Sequence, residues 1–125
     1  MHAPSPAIRG LHLLIEGTVG NPNRFAEPEL REMCEEILGL IGRGLGDPVT
    51  FRSSIDTDDG CVTATGLAGG AHMGIHVWPL RRTFMVDMFA NQIFEQAAAL
   101  EILHRHFAPH GLSVRALVRA PDLPT

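Results

Sequence analysis

The chain has 125 residues, 45% hydrophobic and 19% charged, the balance of one water-exposed globular domain rather than of a disordered or membrane chain. Its formal charge of −4 and lack of a basic run leave nothing to neutralise a phosphate backbone, which argues against a nucleic-acid binder. All ten basic residues are arginines; with no lysine, a pyridoxal phosphate Schiff base is excluded, and with no tyrosine a phenolic acid is too.

The two cysteines, Cys34 and Cys61, lack CxxC spacing and are expected to be buried thiols, not part of a zinc ribbon, a redox pair or a disulfide scaffold. No apolar run approaches the roughly 20 residues of a membrane span, and Met1 to Ile8 lacks the apolar centre of a signal peptide, so the cytoplasm is the expected location.

In chain order, Ile8 to Glu16 is apolar and predicts a strand with His12, Leu14 and Glu16 on one face. Glu27 to Arg43 carries Leu30, Met33, Cys34, Ile37, Leu38 and Ile41 at helical spacing, with acids early and glycines at its end. Pro48 to Ile55 and Cys61 to Leu67 are β-prone runs around Thr57-Asp58-Asp59-Gly60, a hairpin signal. Gly69-Gly70 interrupts the chain before two short strands, His72 to Trp78 and Thr83 to Phe89.

Gln92 to Phe107 returns to helical spacing, with Phe94, Ala97, Ala98, Leu103 and Phe107 on its expected buried side. Leu112 to Arg119 closes as a strand, alternating Leu112, Val114, Ala116 and Val118 against Ser113, Arg115, Leu117 and Arg119. Two helices cannot cover both faces of such a sheet, so the prediction is an α+β fold, a two-layer sandwich of order β-α-β-β-β-β-α-β. It spans residues 1–125 as one domain, with residues 1–7 and 120–125 as flexible tails.

Several polar residues stand where strands should be apolar. Glu16 and Asp87 need a cation or a pocket, and pairing with an arginine is as good an account as a functional role. His72 and His76 share a strand face, but about 13 Å of extended chain separates them, too far for one metal, and no metal site is expected. His72 is either a hydrogen-bonded structural residue or a ligand contact. His104 and His106 are expected to be solvated, and Arg81 and Arg82, in a strand connection, either hold a ligand carboxylate or face solvent.

His72 to Phe89 (HMGIHVWPLRRTFMVDMF) resembles the signature of the small bacterial pyruvoyl-dependent S-adenosylmethionine decarboxylases, a Ser-His-x-x-Ile-His-x-Trp-Pro segment followed by a Val-Asp-x-Phe strand. Gly10 to Glu16, the helix after Asn23, and Glu95 to Arg119 resemble further stretches of that family in the same order. The resemblance implies a homodimer with sites near the subunit interface, S-adenosylmethionine as ligand, and self-cleavage between a glutamate and the serine that becomes the pyruvoyl cofactor.

At those two positions this chain has Gly70 and Ala71, and alanine has no oxygen to attack the preceding carbonyl. The family's proton-donating cysteine falls on Asn91, its processing serine on Thr63, its processing histidine on His76, and the glutamate after Trp-Pro on Leu80. So many exchanges point to natural divergence.

The expectation is therefore a cofactor-free enzyme that binds S-adenosylmethionine and acts at its γ-carbon with release of methylthioadenosine, or else an inactive paralogue serving as regulatory partner or ligand sensor. Candidate catalytic residues are Glu16, Thr63, His76 and Asn91; candidate substrate contacts are His12, Phe51, Ala71, His72 and Asp87. Phe51 either stacks on adenine, as an aromatic does in the family, or packs in the core.

Overall fold

The computed structural model describes residues 9–42 and 48–119. Strand β1 (Gly10–Val19) leads through a 3-10 turn at Pro22–Phe25 into helix α1 (Glu27–Ile41). Strands β2 (Thr50–Ile55), β3 (Val62–Ala68), β4 (Ala71–Trp78) and β5 (Thr83–Ala90) follow, then helix α2 (Gln96–Phe107) and strand β6 (Pro109–Arg119). The α+β class and the element order are as expected from sequence. The expected tails and the strand and helix ends at Ile8 and Arg43 lie outside the described residues.

The sheet has six strands in the order β2-β3-β4-β5-β1-β6, every neighbouring pair antiparallel. Strands β2 to β5 form a meander because short turns join them, and antiparallel neighbours tolerate short turns. The Asp-Gly hairpin closes between Ile55 and Val62, where the Asp56 N–H donates to Cys61 O at 2.8 Å. A still tighter turn joins β3 to β4, with Ala68 opposite Ala71 and both Gly69 and Gly70 at positive φ, 25° and 79°. Left-handed backbone at both central positions suits glycine far better than a side-chain-bearing residue.

Alternation along the strands then sorts side chains onto two unlike faces. Leu11, Leu13, Ile15, Ala64, Met73, Ile75, Val77, Phe84, Val86 and Met88 point to one side and are buried. The amphipathic stripe of α1 meets them through Leu30, Met33, Cys34, Ile37, Leu38 and Ile41, and α2 contributes Ala99, Leu103 and Phe107. Phe25, Phe84 and Phe107 interlock with ring centroids 4.8 to 6.3 Å apart. Each such side chain is worth about 1.5–3 kcal/mol of burial, so this single interface holds the layers together. Ala97, expected on the buried side of α2, is exposed; the helix begins at Gln96, four residues later than predicted, and its stripe runs through Ala99 and Leu103.

His106, expected in solvent, is also inside, with 6% exposure. Its Nδ1 lies 3.1 Å from Glu29 Oε2 and its Nε2 2.8 Å from Glu36 Oε1, so α1 grips the imidazole of α2 by two carboxylates. Arg105 donates to the other oxygen of Glu36 at 2.9 Å. Hydrogen bonds from His106 and Arg105 hold the Glu36 carboxyl below the usual glutamate range. Among the described residues no helix is long and apolar enough to cross a membrane.

Candidate functional site

The face of the sheet turned away from the helices carries the polar strand residues in lateral rows. One row runs Thr63, His76, Met85, Glu16, Ser113 across β3, β4, β5, β1 and β6. The next runs Arg52, Thr65, Gly74, Asp87, Leu14, Arg115, and the third Thr50, Leu67, His72, Phe89, His12, Leu117. Strand register alone thus draws together residues up to about a hundred positions apart in the chain.

Within the rows the contacts are specific. Thr63 Oγ1 and His76 Nδ1 lie 3.1 Å apart, and the His76 ring stacks on Trp78 with centroids 6.1 Å apart. His12 Nε2 meets Asp87 Oδ2 at 3.3 Å. Phe89 stands between His12, edge-on at 5.9 Å, and His72, tilted at 5.5 Å, with the Arg119 guanidinium 5.5 Å from its centroid. Asp87 therefore takes its partner from a histidine, not from the arginine that its place in an apolar strand suggested.

Two grooves flank Asp87. One, of about 270 Å³, is lined by Leu14, Glu16, His76, Met85, Asp87 and Arg115. The other, of about 340 Å³, is lined by Thr50, Arg52, Thr65, His72, Gly74 and Asp87. Two acids, an imidazole and a guanidinium around one groove suit a ligand that carries both charges, such as an amino acid with a further cation.

The remaining candidates gather at a different place. The Asn91 N–H donates to Gly70 O at 2.9 Å, and a Cβ on Gly70 would stand 2.6 Å from Asn91 Oδ1. Ala71 is only 2% exposed and joins the helix-side core. At this corner, which the sequence resemblance assigns to self-cleavage, Ala71 offers a methyl and no hydroxyl from which a pyruvoyl group could be made, and Asn91 an amide in place of the thiol, so these residues do not fit that group. From Ala71 to His76 is five strand residues, about 16 Å, and the two side chains leave opposite faces.

Two readings that the sequence leaves open take one side here. Phe51 lies on the helix side at 9% exposure, with the Arg31 guanidinium 4.8 Å over its ring, so it is a core residue and not an open-face platform for adenine. Arg81 and Arg82 belong to the turn after β4 and line neither groove; Arg82 donates to Gly20 O at 3.0 Å. The groove arginines are instead Arg52 and Arg115, which no local signal in the sequence marks. Alternation put Arg115 opposite Val114 and Ala116, but nothing local says that β6 lies beside β1.

Both cysteines are buried, and burial pushes the Cys34 thiol up to about 12. The Cys61 thiol is also raised, by burial first and by Asp59 second.

The comparisons with known proteins agree with this geometry. The chain is similar to the adenosylmethionine decarboxylase from Aquifex aeolicus, with a TM-score of 0.69, 16% identity and 96% of each chain covered. It is also similar to a Trypanosoma brucei AdoMetDC-delta26 monomer, with a TM-score of 0.50 and 14% identity over 86% of this chain and 44% of that one. At such identities these likenesses establish the fold. No curated protein matches the sequence significantly. The family model described as S-adenosylmethionine decarboxylase matches residues 11–120, nearly the whole chain, and the protein therefore belongs to the S-adenosylmethionine decarboxylase family.

Proposed function

We propose that this protein binds S-adenosylmethionine on the open face of its sheet and acts on it without a pyruvoyl group, at the γ-carbon, releasing methylthioadenosine. The observation that carries the reading is the division of the candidate residues. The grooves retain Glu16, His76 and Asp87 with an arginine, while the corner at Gly70, Ala71 and Asn91 has neither the hydroxyl nor the proton donor that decarboxylation by this family requires.

A reaction at the γ-carbon needs no electron sink, because the sulfonium is already a leaving group. When the ligand's own carboxylate attacks that carbon, the C–O bond forms as the C–S bond breaks, giving homoserine lactone and neutral methylthioadenosine. Closure from the α-carbon would give aminocyclopropane carboxylate and would first need a proton removed there, for which Glu16 or His76 is the available base. In either case the groove's main contribution is to fold the methionine chain into an attack geometry, an effect worth several kcal/mol. Thr63 fixes the His76 ring through the 3.1 Å contact, and Asp87, held by His12, lines the same groove as His76.

A homodimer belongs to the same proposal. The Gly70–Asn91 corner and the Thr63–His76 pair cannot meet within one copy, and a second copy laid on the open face would cover both grooves and the exposed Leu67, Met85 and Leu117. A cytoplasmic location fits a small-molecule enzyme of this kind.

The second reading is an inactive paralogue that regulates a true decarboxylase or senses its ligand. The closed Gly69-Gly70 turn against Asn91 favours it, since it is what remains after self-cleavage is lost. One experiment separates the two: purified protein is incubated with S-adenosylmethionine, and both protein and small molecules are analysed by mass spectrometry. Methylthioadenosine with an intact 13.6 kDa chain supports the enzyme. Unchanged ligand supports the regulator, and carbon dioxide or a fragment beginning at Ala71 refutes both.

A further inference from the structure

We propose that Arg115 is the anchor for the ligand's α-carboxylate, so that the groove selects an intact amino acid over its decarboxylated counterpart. This rests on the proposed binding of S-adenosylmethionine and specifies which end of it lies where.

Arg115 projects from the edge strand β6 into the groove that also contains Glu16 and Asp87. In the register it stands one strand beyond Leu14 and two beyond Asp87, about 10 Å between backbones, a distance that its long side chain spans in part over Leu14. Other arginines have evident structural duties: Arg31 with Glu27, Arg105 with Glu36, Arg82 with Gly20 O, Arg119 over Phe89. No ion pair among the described residues occupies Arg115, and its planar fork is the side chain best matched to a carboxylate.

Asp87 completes the polarity. Its Oδ2 faces His12, while a Cβ at Gly74 would come within 2.8 Å of its Oδ1, so the bare backbone of Gly74 leaves room for that oxygen on the other side. The carboxylate is thus held at the saddle between the two grooves with 48% of its side chain exposed. A ligand lying along this row sets its carboxylate on Arg115, its positive charge over Asp87, and its remaining bulk in the second groove beside Thr65 and Arg52.

The test is calorimetric titration of the full chain with S-adenosylmethionine and with decarboxylated S-adenosylmethionine, which keeps the adenosine and the sulfonium. Native protein is expected to prefer the intact ligand at least about tenfold, in line with a charge-assisted pair. Arg115→Gln is expected to erase that preference by weakening only the intact ligand, and Arg115→Lys to restore part of it, with thermal unfolding unchanged in both. If Arg115→Gln keeps the preference, or weakens both ligands alike, the anchor role is wrong while the ligand stands. If the native protein binds neither compound, the proposed ligand itself fails and the anchor with it.

Discussion

The two faces of one sheet follow different rules in this molecule. On the helix side, twenty-odd apolar side chains from strands β1 to β5 and the two helices interlock with almost no solvent contact. On the open side, residues of the same strands alternate between acids, histidines, threonines and isolated large apolar groups, and are half or fully exposed. The first face makes the fold; the second is free to vary because little of the folding energy depends on it. Polar groups can persist in mid-strand there, since water or a ligand satisfies them.

The sharpest way to break this comparison is to truncate one residue on each side. Phe84→Ala, from a fully buried ring, is expected to lower the unfolding free energy by about 3–5 kcal/mol in a denaturant titration. Glu16→Gln, on the neighbouring strand and one register step from the Gly17–Phe84 pair but on the open side, is expected to lower kcat/KM for closure from the α-carbon by about 10²–10⁴ and to leave the unfolding midpoint in place. A large stability loss from Glu16→Gln would show that the open face is structural after all.

A smaller effect is expected between the helices. His106→Ala leaves two carboxylates without their shared partner and should destabilise by about 1–3 kcal/mol, measured in the same titration. The same cluster gives a pH signature. The Glu36 carboxyl is depressed in the folded state, so its stabilising contribution is complete above the ordinary glutamate value near 4.3 and is lost as pH falls through the folded value. Acid unfolding followed by circular dichroism should therefore lose part of its pH dependence in Glu36→Gln; an unchanged acid limb would refute that assignment.

The smallest expected effects are at Thr63 and Cys34. Thr63→Val breaks an exposed contact with His76 and should change stability by less than about 1 kcal/mol. Cys34, with its thiol pushed up to about 12 by burial, should resist alkylation in the folded protein and react only after unfolding. Rapid labelling of native Cys34 would mean that α1 lifts off the sheet far more often than its packing implies.

Legibility in the sequence divides along the same line. The α1 stripe, the alternation in β6 and the Asp-Gly turn are local patterns, and local patterns can be read from neighbours in the chain. His106 escapes a local reading because its partners Glu29 and Glu36 lie on another helix, some seventy positions away. The sequence leaves Phe51 between two roles because a strand residue's face depends on which neighbour it pairs with, here Gly66 on β3. Arg115 is invisible to a local reading for the same reason, since its place beside Asp87 exists only because β6 pairs with β1 and β1 with β5.

By itself, then, the order of residues determined the element sequence, the two-layer α+β class, the family likeness and the absence of a hydroxyl at position 71, because each depends on residue type and short-range spacing. Only the tertiary structure decided that Thr63 touches His76, that Asp87 is held by His12, and that Arg115 shares a groove with His76 and Asp87. Those relations arise from strand order and register, which are set by the simultaneous burial of all the apolar faces and not by any one segment.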